Sequence, residues 1–155
     1  MFSNTLVVDI LNYIDCNLYK KISMKELSST FFYNKDYIMR LFKKEIHMTI
    51  IEYINSKRIF LSLKALKEKS SSVLAISIQY GFASQEYYCE TFHSVMGVSP
   101  SEYQTFLNGS VGLDEESVFS IQDRLSYFAS FFELIEEYKK NTPPKSTIKV
   151  LSIFK

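Results

Sequence analysis

Lysine and arginine are missing from a long part of this sequence. Residues 70–123 contain neither, although the whole chain of 155 residues carries 18 of them. The first 69 residues hold 12 Lys and Arg against 7 Asp and Glu, whereas the remainder holds 6 against 10. The charge balance is therefore +5 followed by −4, an asymmetry that points to an anionic partner for the first half.

Glycine and proline are also scarce. With four Gly and three Pro the chain has few sites for tight turns, which favours a helical protein over one rich in hairpins. No apolar run approaches the roughly 18 residues of a membrane span, and Asp9 interrupts the apolar N-terminal stretch that a secretion signal would need. We therefore expect a cytoplasmic protein of about one domain without a membrane segment.

Cysteine and histidine are too isolated to build a site. Cys16 and Cys89, like His47 and His93, lie far apart without neighbouring ligand pairs. This predicts reduced thiols, no metal and no cofactor. The chain also lacks a Gly-rich phosphate loop or an acid paired with a nucleophile, so an enzyme fits poorly.

Helical signals are present along most of the chain. Apolar spacing predicts an amphipathic helix over 6–18. Capping boxes mark three further helix starts, at 23–26, 49–52 and 99–102. Asn34 and Ser84 are placed to cap two short helices, and Gly81 suggests the end of the helix before it. The helix that opens at Thr49 is predicted to run to about Glu68 and to be the longest helix.

The sequence repeats itself after 50 residues. When the sequence is aligned with itself at this shift, residues 35–42 match residues 85–92, and residues 47–53 match residues 97–103. The matched pairs are Tyr37 and Tyr87, Phe42 and Phe92, Glu52 and Glu102, and Tyr53 and Tyr103. Each copy predicts a helix-turn-helix. The intervening helix would measure roughly 30 Å, near the ~34 Å turn of B-DNA. Spacing thus favours binding to double-stranded DNA, while a helical bundle without nucleic acid stays open.

Longer motifs carry a family resemblance over about residues 4–106. "LSSTFFYNKDYIMRLFKKE" followed by "YINSKR", and "YGFASQEYYCETF" followed by "MGVSPSEY", resemble the DNA-binding domain of the AraC/XylS transcription regulators. The resemblance implies an all-α fold of two helix-turn-helix subdomains joined by a long helix. Each would place its second helix in a major groove, usually to recruit RNA polymerase. The DNA-binding motifs begin near the first residue of this sequence, an arrangement similar to that of the short, stress-type members of the family.

The first recognition helix has residues suited to DNA. Arg40 can donate two hydrogen bonds to guanine, Asp36 can accept from a cytosine amine, and Met39 can touch a thymine methyl. Three further cations are suited to phosphate contacts, namely Lys43, Lys44 and Arg58. The full set predicted for this unit is Asn34, Lys35, Asp36, Met39, Arg40, Lys43, Lys44 and Arg58.

The second recognition helix departs from the family pattern. Family members commonly have Arg or Lys late in this helix and Arg after the final Tyr, whereas this chain has Glu90, His93, Ser94 and Gln104 there. Gln85 can still pair with adenine, and Ser84 or Tyr87 can bond a phosphate. The weaker set predicted here is Ser84, Gln85, Glu86 and Tyr87. We therefore expect the first unit to supply most of the affinity for DNA.

The tail lies outside the resemblance. We predict a DNA-binding domain over 1–107, a linker over 108–116 and a helical tail over 117–155, with a helix across 118–140 and a short strand across 146–154. The tail helix has an apolar stripe at three-four spacing, formed by Val118, Ile121, Leu125, Phe128, Phe132 and Ile135. The tail helix either packs on its own module or joins a second chain through 117–139 to form a homodimer. Alternatively, helix and strand open a truncated effector domain.

Two functions follow from these features. The favoured one is a sequence-specific transcription regulator, an activator by resemblance, located at the bacterial nucleoid in the cytoplasm, with DNA and RNA polymerase as partners. The alternative is a degenerate or truncated relative that regulates through protein interactions without strong DNA binding. Arg40 and the cations near it favour the first function, whereas Glu90 and Gln104 favour the second.

Overall fold

The computed structural model describes residues 2–68 and 70–141, and these ranges are entirely helical apart from turns. The predicted strand over 146–154 lies outside the described residues. Eight helices are present within them: α1 (Phe2–Cys16), α2 (Met24–Phe31), α3 (Lys35–Ile46), α4 (Ile50–Glu68), α5 (Val73–Gln79), α6 (Gln85–Met96), α7 (Pro100–Leu107) and α8 (Glu115–Asn141). The all-α fold is confirmed. None of these helices is long and apolar enough to cross a membrane.

The helices are distributed over two compact units. The first unit contains residues up to Ile54 together with the part of α8 from Ala129 onward, and the second is Asn55–Phe128. Each unit holds one predicted helix-turn-helix, α2–α3 in the first and α5–α6 in the second. The long helices α4 and α8 each contribute residues to both units. The prediction that α4 is the longest helix is wrong, because α8 has 27 residues and α4 has 19.

The core of the first unit joins helices from both ends of the chain. Apolar side chains of α1 and α3 pack with the last part of α8, and Tyr53 lies fully buried among them. The Tyr53 ring meets Phe42 edge-on at 5.8 Å between centroids and Phe132 at 6.1 Å. Full burial of one such side chain stabilises the fold by about 1.5–3 kcal/mol.

Helix starts in the first unit follow the predicted caps with one exception. Thr49 and Glu52 exchange two hydrogen bonds, of 3.0 and 3.1 Å, as a complete capping box. Ser23 Oγ accepts from the Glu26 N–H at 3.0 Å, but the prediction that the Glu26 carboxylate accepts in return from the Ser23 N–H is wrong. The Glu26 carboxylate instead accepts a hydrogen bond from the Tyr13 hydroxyl of α1, so it joins two helices.

The second unit is closed by the first part of α8. Ile121 and Phe128 of α8 are buried, as are apolar residues of α4 to α7 in the same unit. Ser120 Oγ donates to the Met96 carbonyl at 3.1 Å, and the Arg124 guanidinium donates to the Val95 carbonyl at 2.9 Å. Carbonyls in the last turn of a helix lack partners within it, so α8 satisfies the end of α6.

A glycine is required where α8 meets α6. Gly97 ends α6 with φ +77°, and a Cβ placed there would lie 2.1 Å from Ser120 Oγ. Most of the apolar stripe of α8 is also buried within this chain, at Ile121, Phe128, Phe131, Ile135 and Tyr138. This corresponds to the prediction in which the tail helix packs on its own module.

Candidate nucleic-acid interface

One face of α3 is turned to solvent and carries most of the predicted DNA-binding residues. The helix is fixed at its start by Asn34 Oδ1, which accepts from the Asp36 N–H at 2.8 Å. It is fixed from behind by Ile38 and Phe42, which are fully buried. Seven of the eight residues predicted for this unit are exposed, namely Asn34, Lys35, Asp36, Met39, Arg40, Lys43 and Lys44.

An apolar groove of about 500 Å³ runs along this face. Its lining residues come from α2, from α3 and from the start of α4 with its cap: Met24, Met39, Arg40, Lys43, Lys44, Thr49, Ile50 and Ile51. Cationic side chains therefore accompany an apolar surface. Ile51 had not been predicted as a site residue, because its place beside α3 depends on how α4 folds back.

A second depression of similar volume, about 500 Å³, lies between α2 and the start of α3. This polar cleft is lined by Met24, Lys25, Ser28, Ser29, Asn34 and Lys35. Amine and hydroxyl groups of this kind suit a phosphate oxygen. Lys25 and Ser29 were missed by the sequence analysis, although their i, i+4 spacing places them on one face of α2.

Arg58 does not fit its predicted role. The residue is only 8% exposed, and its guanidinium carbon lies 5.7 Å from the centre of the Phe82 ring. Desolvation lowers the pKa of Arg58. A phosphate contact needs an accessible guanidinium, so the structure assigns Arg58 to packing within the second unit.

The weaker set predicted on the second unit is only partly available. Ser84 Oγ accepts from the Tyr87 N–H at 3.0 Å as the cap of α6, and Asn55 Nδ2 donates to the Tyr87 hydroxyl at 2.8 Å. Gln85 and Glu86 are exposed. The helix has no Lys or Arg, and its Glu90 is exposed as well. The surface of α6 is therefore neutral to acidic.

The sequence matches a known family across both helix-turn-helix pairs. Residues 27–105 match the family described as a helix-turn-helix domain. The transcriptional activator AarP of Providencia stuartii is 31% identical over 103 residues, which are 66% of this chain and 76% of that protein. The multiple antibiotic resistance protein MarA of Escherichia coli K12 is 33% identical over 95 residues, covering 61% of this chain and 75% of MarA.

Other relatives are longer than this chain. The probable transcriptional regulator LumQ of Photobacterium leiognathi is 34% identical over 104 residues, which are 67% of this chain but 41% of LumQ. The chain thus spans about two fifths of that relative's length.

Solved structures share the fold. The C-terminal domain of AraT, a response regulator from Geobacillus stearothermophilus, has a TM-score of 0.61 at 20% identity, covering 65% of this chain and 84% of its own. The DNA-binding domain of AdpA, solved in complex with a target DNA, also has a TM-score of 0.61, at 16% identity. The match covers 66% of this chain and 93% of the AdpA chain. At these identities the likeness concerns the fold alone. The family match, together with the curated relatives, shows that the chain belongs to the AraC-type family of helix-turn-helix transcription regulators.

Proposed function

We propose that this regulator binds a specific DNA sequence mainly through the helix-turn-helix of its first unit, and that it activates transcription. The observation that carries this proposal is the contrast between the two recognition helices. The α3 helix exposes Lys35, Arg40, Lys43 and Lys44, whereas α6 contains no Lys or Arg. Each cation that meets a phosphate releases counterions and adds affinity, whereas a carboxylate is repelled.

Specific contacts are assigned to the exposed face of α3. Arg40 is suited to the paired acceptors of guanine, and Asp36 to a cytosine amine. Lys43 and Lys44 are suited to phosphates along one side, and the polar cleft with Lys25 to a phosphate on the other. The second unit then adds neutral contacts, led by Gln85.

The partners follow from this assignment. Because DNA is the ligand, we place the protein in the cytoplasm at the nucleoid, and activation would proceed through contact with RNA polymerase. AarP, which matches 66% of this chain, is named an activator. Most of the apolar side chains that a homodimer through 117–139 would use are occupied, because Ile121, Phe128, Phe131, Ile135 and Tyr138 are buried in their own chain and Phe119 is the large apolar side chain of α8 that is mostly exposed, at 68%. We therefore propose binding as a monomer.

A retention experiment tests the proposal. The purified chain is mixed with genomic DNA fragments, and the retained fragments are sequenced. We expect a shared sequence motif among them. Retention of no fragments, or of fragments without a common motif, would contradict sequence-specific binding and favour the alternative of a protein-interaction regulator.

A further inference from the structure

The apolar groove beside α3 is not explained by the core of the first unit. Ile50 is 4% exposed and belongs to that core, but its neighbour Ile51 is 55% exposed and Met39 is 46% exposed. Both side chains line the groove together with Arg40, Lys43 and Lys44. Exposed apolar side chains among cations suggest a ligand that combines apolar and negatively charged parts.

The major-groove edge of DNA has this combination. The C5 methyl of thymine is the apolar group among hydrogen-bond acceptors on the base edges, and phosphates border the groove. We propose that the apolar groove receives thymine methyl groups, with Met39 and Ile51 making the contact. This inference rests on the proposed function, and it adds a residue of α4 to the sequence-reading surface.

The backbone around Ile51 is held in place in the structure without DNA. The capping box between Thr49 and Glu52 fixes the first turn of α4 on both sides of Ile51. Met39 is unbranched and adapts its shape to a neighbouring group. Arg40 lines the same groove, so the thymines concerned lie within one or two base pairs of the guanine assigned to Arg40.

Uracil scanning of the bound DNA tests the inference. In a retained site, each thymine is replaced in turn by deoxyuridine, which removes the methyl and keeps the base-pairing groups. At the thymine facing the groove we expect about fourfold weaker binding, the factor that corresponds to burying one methyl group. The guanine that Arg40 contacts is located by replacing each guanine in turn with 7-deazaguanine. At that guanine the replacement should weaken binding of the original chain but not of the Arg40→Ala variant.

Variants identify the side chains that sense the methyl. Ile51→Ala and Met39→Ala are each expected to bind the thymine and uracil sites about equally. Ile78→Ala is the matched control, because Ile78 is also exposed, at 67%, but lies on α5 of the second unit. This control should retain the full preference for thymine.

The possible outcomes are distinct. DNA binding without any uracil effect near that guanine would overturn the inference and leave the proposed function standing. A uracil effect that persists in both Ile51→Ala and Met39→Ala would also overturn it. Displacement of DNA by decanoate without a uracil effect would assign the groove to a small apolar anion instead. Failure to bind any DNA would overturn the proposed function and the inference with it.

Discussion

The Lys139 ammonium donates a hydrogen bond of 2.6 Å to the Asp15 carboxylate and so connects α8 to α1. Both side chains are shielded, at 14% and 19% exposure. The same carboxylate accepts from the Tyr53 hydroxyl at 3.3 Å, and Lys139 also contacts Glu136 at 3.1 Å. The tail helix thereby places a cation against two carboxylates, those of Asp15 and Glu136, in the first unit.

Removal of this cation should destabilise the protein. Lys139→Met keeps the aliphatic stem and removes the shielded ion pair with Asp15, so we expect a loss of about 1–3 kcal/mol in the free energy of unfolding, between the values for exposed and buried pairs. Urea unfolding of the whole chain measures it. The matched control is Lys140→Met, because Lys140 is exposed and should change the midpoint little. Equal effects of the two substitutions would contradict a structural role for the pair.

Stability should decline at alkaline pH. Burial, with the charge of Asp15, raises the pKa of Tyr53, and burial raises that of Tyr88 to about 12. Burial and the charge of Glu45 raise the pKa of Tyr138. Above the ordinary tyrosine pKa of about 10, the unfolded state therefore loses protons that the folded state keeps. The contribution of these hydroxyls to the free energy of unfolding is fully present below that pH and falls above it.

Lys139 also contributes to the free energy of unfolding in a way that is lost as the pH rises. Burial alone lowers the pKa of Lys139, but hydrogen bonds to Asp15 and Glu136 outweigh it and raise the pKa. Urea midpoints measured between neutral pH and about pH 12, with tyrosinate absorbance recorded in parallel, check the prediction. Tyr88→Phe should flatten the decline. Ionisation of all eleven tyrosines before unfolding would contradict the prediction, because it would show that the buried hydroxyls titrate in the folded protein.

The sequence predicted local features more completely than contacts between distant residues. The caps at Thr49 and Ser99 depend on residues three positions away, and both boxes form. Glu26 was misassigned because Tyr13 competes for its carboxylate. Arg58 was misassigned because Phe82, 24 positions later, covers it in the folded chain. The spacing of apolar residues indicates which face of a helix is buried, but it does not identify the residues that pack against that face.

The same limit explains the tail helix. Its apolar stripe was predicted, and Ile121, Phe128 and Ile135 are buried as expected. The neighbours of the stripe could not be predicted, because a periodic pattern serves a core and a coiled coil equally. Phe131 and Tyr138, which were not assigned to the stripe, are also buried.

Charge on the two recognition helices should have opposite effects on DNA affinity. Arg40→Ala is expected to weaken binding about tenfold to a hundredfold, the range for loss of one bidentate base contact. Glu90→Ala should leave affinity unchanged or improve it, because an exposed carboxylate near phosphates is removed. Titration of a labelled retained site measures both. Equal losses from the two variants would contradict the predominance of the first unit.

The salt dependence of binding should be shallow. About four or five cationic contacts predict a slope of log affinity against log salt no steeper than about −4. Lys43→Ala should reduce this slope by roughly one contact. Arg58→Gln serves as the contrast, because the buried Arg58 should affect unfolding and leave the slope unchanged. A slope change from Arg58→Gln equal to that from Lys43→Ala would restore Arg58 to the interface.

The turn between α2 and α3 contains backbone strain that can be relieved. Phe32 has φ 60° and ψ 36°, the left-handed conformation, and its side chain is 90% exposed. The corresponding turn of the second unit uses Gly81 at φ 87°. A non-glycine residue costs about 1–2 kcal/mol in this conformation, and this side chain recovers little of that by packing.

Phe32→Gly should therefore stabilise the chain by roughly 0.5–1 kcal/mol, since part of the relief is offset by the greater freedom of glycine in the unfolded state. Urea unfolding measures the gain. Tyr33→Gly is the control one position later, where no left-handed backbone requires glycine and a stacked contact with Tyr37 is lost, so destabilisation is expected. A loss of stability in Phe32→Gly would mean that the exposed ring contributes contacts that outweigh the strain.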